Sequence, residues 1–382
     1  MPALLSFYRA ICFCLIGGLI LAMGLPTSAR AEAPAPRAEA PLSPEIPFLS
    51  DWLGSPHADW KSEAFVHWDK NGAVPKACAK CHSGTGFLDF LGADGSAPGT
   101  VDHAAPTGTV ITCVACHNKA AMELSKVTFP SGLTVRRQGK SARCMQCHQG
   151  RQSGMNVTDI SQGLSDDAVT GTLKFLNVHY RAAGATLMGS LAAGAYEYPV
   201  KKYAGPLQHQ DNVNACVACH DPHRTEVKVA LCSDCHKGVI SRKDLVTIRG
   251  KNNKTDFDGD GNAFEGVAGE VSTLHGALYA MIQDYAKTVL KKPIGYDAHA
   301  YPYFFNDTDA NGVIDKAEAS FKNQYAFWSP RLLRTAYNYQ FIAKDPGAYA
   351  HNPVYALQIL HDSVADLAKK VPSRADGMVR AQ

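Results

Sequence analysis

The 382-residue sequence keeps no cysteine in reserve. Cys12 and Cys14 lie in an early apolar run, and the other ten all fall in one repeated pattern. A disulfide scaffold, the usual use of many cysteines in an exported chain, is therefore excluded for the body of the protein. Excess charge is missing too. Lys and Arg number 38 against 35 Asp and Glu, and losing Arg9 and Arg30 with the early segment takes 38 to 36. A near-neutral polypeptide argues against nucleic acid or anionic lipid as partners. Beyond residue 25 no apolar run is long enough to cross a bilayer. Strand signals are few, which leaves a mainly α fold with extensive irregular loops.

The segment "RAICFCLIGGLILAMGL", an apolar run behind Arg9, precedes Ala29-Arg30-Ala31. It reads as a secretory leader, residues 1–31, cleaved after Ala31. Residues 32–47, "EAPAPRAEAPLSPEIP", read as a Pro/Ala-rich linker. Residues 48–240 carry the cysteine pattern, with short helical stretches such as "GTLKFLNVHYRAAGATLMG". Residues 241–382 lack cysteine and form a helical C-terminal region packed on that core. There Val271, Leu274, Leu278, Ile282, Tyr285 and Val289 make one helical stripe. Ser329-Pro330 and Asn352-Pro353 each set an N-cap before a first-turn proline, opening two more helices.

The repeated pattern is C-x-x-C-H, at 78–82, 113–117, 144–148, 216–220 and 232–236. Covalent c-type haem needs two thiols for its two vinyl groups and an imidazole for its iron. Two residues between the cysteines let one turn of chain span the vinyls, and the next residue falls beneath the iron. The haem thioethers are thus expected at Cys78, Cys81, Cys113, Cys116, Cys144, Cys147, Cys216, Cys219, Cys232 and Cys235. The proximal ligands are His82, His117, His148, His220 and His236. Zinc on Cys216, Cys219, Cys232 and Cys235 is the alternative, but it leaves five identically placed histidines unexplained. The uneven spacing of the motifs rules out a solenoid of equal repeats. Five haems would add about ten propionate charges, partly offset by iron, making the loaded protein acidic.

Over residues 67–236 the chain resembles the multihaem c-type cytochromes. More loosely, so do the tail segments "YPYFFND" and "DPGAYAHNPVYALQIL". The resemblance implies a compact core organised around stacked haems that pass electrons from one to the next. It also implies redox partner proteins, either other cytochromes or quinol-oxidising membrane complexes.

The second axial position of each iron decides its chemistry: histidine makes a low-potential carrier, methionine raises the potential, and an open site permits catalysis. Of fifteen histidines, ten are not proximal. His67, eleven residues before Cys78, is an expected distal ligand by the family's habit of upstream histidines. His179 shares a helical face with Phe175, Leu176 and Ala183, so its burial asks for a partner. His209 lies seven residues before Cys216. His223 follows His220 too closely to round the same macrocycle and is expected at a neighbouring iron. His351, fixed by the Asn352 cap, is the fifth candidate and His103 the reserve. His57 and His299 read as ordinary.

Residues 307–318, "DTDANGVIDKAE", match the EF-hand loop pattern. Asp307, Asp309, Asn311, the Val313 carbonyl, Asp315 and Glu318 are its calcium ligands. The preceding "KPIGYDAHAYPYFF" is a poor helix, so an EF-like loop in a non-standard setting is expected. A second loop, 256–267, offers Asp256, Asp258 and Asp260 but has Val267 at the twelfth position. Glu265 or Glu270 would have to substitute there.

The expectation is an exported pentahaem electron carrier with mostly bis-histidine haems, periplasmic or at the outer cell surface. The alternatives are a pentahaem oxidoreductase of the nitrite-reductase or hydroxylamine-oxidoreductase kind with one open haem, and a self-associating subunit of a conducting filament. The C-x-x-C-K motif of most such nitrite reductases is missing.

Overall fold

The computed structural model describes residues 45–209, 213–250 and 253–382. The leader and most of the linker lie outside them. Among the described residues no helix is long and apolar enough to cross a membrane.

Three helices carry the hydrophobic centre. Helix α1 spans Val267–Thr288, α2 spans Pro330–Ala343 and α3 spans Pro353–Leu367, and each packs on the other two. The α1 stripe is inward: Val271, Leu274, Leu278, Ile282 and Tyr285 are all buried. The Ser329 hydroxyl accepts from Leu332 N–H, and the Asn352 carboxamide from Tyr355 N–H. These two N-caps sit where the sequence put them.

Strands are few and short. The pair β1 (Ile294–Tyr296) and β2 (Phe304–Asn306) is antiparallel, with Gly295 opposite Phe305. Two further pairs, Ala73–Val74 with Ala105–Pro106 and Val127–Thr128 with Thr134–Val135, have two residues a side.

The segment 171–182 was expected to be helical and is not. Helix begins only at Ala183 and ends at Met188. The preceding backbone takes its hydrogen bonds from elsewhere: Val178 N–H donates to the Gln340 side chain and Arg181 N–H to the Lys344 carbonyl. Further on, Tyr196 N–H and C=O are both met by the Asn338 carboxamide. Polar side chains on α2 thus satisfy an irregular backbone that lies buried against it, which local sequence periodicity cannot register.

Phe48–Gln382 is one unit. The change of texture at residue 240 is not a packing boundary, because the largest core cluster draws on Val127–Tyr198 as well as on α1, α2 and α3. Around the first two motifs the apolar clusters are small, one built on Phe87, Leu91, Ala115 and Ala121, the other on Val74, Ala79 and Ala105. From Pro199 to Asp256 only Val239 is buried among the described residues. That stretch holds the last two motifs.

Candidate functional site: five paired histidines

Each C-x-x-C segment closes a short helical turn, for example Cys113–Cys116 and Cys216–Cys219, with the motif histidine at its end. The backbone N–H of His117, His148, His220 and His236 each donates to the carbonyl of its own motif's first cysteine. The same turn therefore presents two thiols and one ring four times over. None of the ten motif cysteines is paired with another in a disulfide.

Every motif histidine faces one other histidine. The His148 and His57 ring centres are 6.2 Å apart, His117 and His223 6.1 Å, His220 and His351 6.3 Å, and His236 and His209 6.3 Å. His82 and His179 are closer, 5.7 Å between centres and 3.4 Å between Nε2 atoms. An imidazole nitrogen bonds a first-row metal at about 2.0–2.1 Å, so two rings across one metal have centres about 6.2 Å apart. Four pairs have that separation, and the fifth needs to open by about half an ångström to reach it.

The ring environments suit neutral ligands. Burial pushes His148 and His179 down to about 4, helped by their partner histidines and nearby arginines, and it lowers His57, His82 and His220. Burial alone would lower His351 as well. The Asp345 carboxylate reverses this, lying 2.9 Å from Nδ1 through each oxygen. Asp345 thereby engages Nδ1 and leaves Nε2 as the nitrogen able to bind a metal, the arrangement by which carboxylates orient ligand histidines. His82 is held the same way by the Ala64 carbonyl, 2.8 Å from its Nδ1. Gly347 is required beside His351, since a Cβ there would lie 2.8 Å from the ring.

The structure places His179, His209, His223 and His351 opposite motif histidines. It does not so place His67, whose Nδ1 is 2.6 Å from Glu63 on an exposed surface and whose ring stands edge-on to Trp68. His57 takes the fifth position instead, although its sequence looked ordinary. It lies 91 positions before His148 and is brought there by the pairing of its carbonyl with Ile111 N–H. No local spacing could have pointed to it. His103 is exposed and pairs with the exposed Asp102 and the buried Asp89. His361 pairs with Asp362, and His275 stacks on Tyr339 while bonding its carbonyl. His223 reaches His117, not His220, because the Asp221 carboxylate accepts the His223 and Arg224 N–H groups and turns the chain back. Phe48 stacks on the His223 ring at 4.6 Å.

The motifs touch one another out of sequence order. The Cys81 thiol donates to the Gln146 carbonyl at 3.8 Å and the Cys147 thiol to the Lys80 carbonyl at 3.6 Å. Arg143 donates to the Cys116 carbonyl at 2.8 Å, and Cys216 N–H donates to Ser141. The third motif thus meets the first, second and fourth. Lys228 N–H, just before the fifth motif's turn, donates to the Cys219 carbonyl of the fourth.

These residues fit the cofactor that the motifs imply. Each site offers two thiols, an imidazole and a second imidazole, at metal-spanning distance in four sites and about half an ångström short of it in the fifth. The nearly coreless stretch from Pro199 to Asp256 makes the same point differently. Ordering each residue costs about 1–2 kcal/mol of backbone entropy, and this stretch has almost no buried apolar side chain of its own to offset it. Porphyrin faces would supply the missing apolar surface.

In the loop 307–318, Asp307 accepts from Asn311 and Gly312 N–H, and Glu318 from Thr308 N–H. Carboxylate oxygens of Asp307, Asp309 and Glu318 lie within 4.8 Å of one another. Strand β2, not a helix, leads into the loop, and Ile314 packs over Gly295 of β1.

No family model matches the chain. Two curated relatives are C-type polyheme cytochromes of Geobacter sulfurreducens. OmcB is 24% identical over 80% of this chain and 46% of its own length, and OmcC is 26% identical over 83% and 46%. The chain therefore spans about half the length of the relatives it matches. Among solved structures, the outer cell wall cytochrome OcwA superposes with a TM-score of 0.42 at 16% identity, covering 84% of this chain and 50% of OcwA. The undecaheme cytochrome from the S-layer of Carboxydothermus ferrireducens gives 0.37 at 15% identity, covering 82% and 40%. The relatives and the residue pattern together support a multihaem c-type cytochrome.

Proposed function

We propose that the chain is a pentahaem electron carrier of the bacterial cell envelope. In this reading its five irons are bis-histidine ligated, by His82 with His179, His117 with His223, His148 with His57, His220 with His351, and His236 with His209. The observation that carries it is the one-to-one pairing of motif histidines with other histidines, at or near the separation of two rings across one metal. Such irons have both axial positions filled, which suits electron transfer rather than substrate binding. Haem supplies the redox chemistry. The polypeptide holds the rings, excludes water and sets the order in which sites adjoin. The third motif adjoins the first, second and fourth, the fourth also reaches the second through His223, and the fourth leads on to the fifth. Electrons would exchange with other redox proteins at the periphery. The envelope or outer surface enters this reading from the expected leader, and a calcium ion in the 307–318 loop would tie β2 to α1 through the Gln283–Gly312 bond.

Haem quantitation on the purified protein should give five haems per chain. Its EPR spectrum should contain low-spin ferric signals alone. Fewer than five haems, or a high-spin signal that changes on adding nitrite or hydroxylamine, would replace the carrier reading with the oxidoreductase one.

A further inference from the structure

The second acidic loop differs from the first in having carboxylate oxygens that nothing in the described protein satisfies. Asp256 is satisfied: its two oxygens accept Gly259 and Gly261 N–H, each at 2.7 Å. So is Glu270. It is fully buried, takes Arg249 Nη1 at 2.6 Å on one oxygen, and takes Phe257 and Asp258 N–H at 2.7 and 3.0 Å on the other. Asp258 is not. It is 2% exposed, its Oδ1 accepts Asp260 N–H at 3.1 Å, and its buried Oδ2 meets no donor among the described residues. Glu265 Oε1 is likewise buried without a donor.

Carboxylate oxygens of Asp258, Glu265 and Glu270 lie within 4.8 Å of one another, as do those of Asp256, Asp258 and Asp260. Asp258 belongs to both sets, so its carboxylate sits at their centre. The chain goes out of its way to bring Glu265 there. The Glu265 carboxylate folds back over the first turn of α1 at Gly269, where a Cβ would fall 1.7 Å from Oε2. A buried carboxylate oxygen with neither a hydrogen bond nor an opposite charge is among the costlier groups a fold can hold. Arg249 is engaged with Glu270, with the Glu265 backbone carbonyl and with the 253–255 backbone.

We infer that residues 256–265 form a second divalent-cation site of calcium's class, with Asp256, Asp258, Asp260 and Glu265 as its carboxylates. Calcium takes six to eight oxygen ligands in flexible geometry, which suits four carboxylates on one short loop. The acid that completes the loop is Glu265, at its tenth position. Glu270 instead braces the loop through Arg249. The ion would lock together three parts of the chain: the loop itself, the α1 N-terminus, and the C-terminal segment, where Val379 N–H donates to the Phe257 carbonyl at 3.0 Å.

The test uses the haem-loaded full chain in a Glu318→Gln background, which disables the 307–318 loop. After chelation, the protein is dialysed against calcium and bound metal is counted, with melting followed in parallel. The E318Q protein should hold one calcium per chain and melt higher with calcium than without. Adding Asp258→Asn, which keeps the shape, or Glu265→Gln should abolish both the bound ion and the calcium-dependent rise. Asp258→Asn should also raise the calcium-free melting temperature, because it removes a crowded charge, and this separates lost binding from lost folding. Bound calcium and an unchanged melting rise in the E318Q/D258N protein would overturn the site, as would an E318Q protein that binds no calcium.

Discussion

The distinction between His57 and His67 is a matter of a single ring. Both are close in sequence, and His67 lies nearer to a motif, yet only His57 faces a motif histidine. His57→Ala should leave five haems attached and convert one to high spin, visible by EPR, whereas His67→Ala should leave the spectrum low-spin throughout. Asp362 sets a second expectation at this scale. Burial alone would raise its carboxyl, but bonds from His361, Lys201 and Tyr203 and the charge of Arg380 hold it down to about 2. An Asp held below its unfolded value of about 3.9 adds stability above that pH and loses it as pH falls through the folded value. Denaturant unfolding at pH 5 and again near pH 2 should show a loss of roughly 2 kcal/mol from this group, and Asp362→Asn should remove that part of the pH dependence. Residue types and motif spacing made the five repeated turns legible, each with two thiols and a ring. The histidines that face the motif rings were legible where a turn or a cap fixes them, as at His223 and His351, and illegible at His57, whose position depends on a backbone contact with a distant segment.

At the scale of elements, α1, α2 and α3 were readable because each obeys a local rule: a 3.6-residue stripe, or a polar cap followed by proline. Leu278 is fully buried on α1. Leu278→Ala should cost about 2–5 kcal/mol in chemical denaturation, from lost burial and the cavity left behind. Ser329→Ala should cost about 1 kcal/mol, because the Leu332 N–H loses its acceptor. The segment 171–182 reads as helix because its apolar residues do recur at helical spacing. What decides its shape is Gln340 and Lys344, some 160 residues away, which take up its backbone hydrogen bonds. His179 sits on that segment with a left-handed backbone, φ 69°, so the error about the element did not carry over to the ring.

The whole molecule divides by what holds it together rather than by sequence texture. One part, from Val127–Tyr198 and the C-terminal helices, has a conventional apolar core. The stretch around the fourth and fifth motifs has almost none. Blocking haem attachment at the fifth motif with Cys232→Ser and Cys235→Ser should therefore open residues 206–250 to limited proteolysis. Fragments containing α1, α2 and α3 should survive, as mass spectrometry of the digest would reveal. Cleavage spread evenly over the chain would show instead that the haem-bearing stretch is not a separate unit of stability.

The contacts of the third motif bear on how damage would propagate. A string of beads fails at any broken link, and the loss is set by position along the thread. Here the thread and the circuit differ. The third motif and the residues just before it adjoin the first, second and fourth, and the fourth also adjoins the second through His223, so in graph terms the circuit contains a loop. Losing the fifth site would trim one branch and leave four sites connected. Losing the third would still leave the second joined to the fourth through His223, and the fourth to the fifth through the Lys228–Cys219 bond.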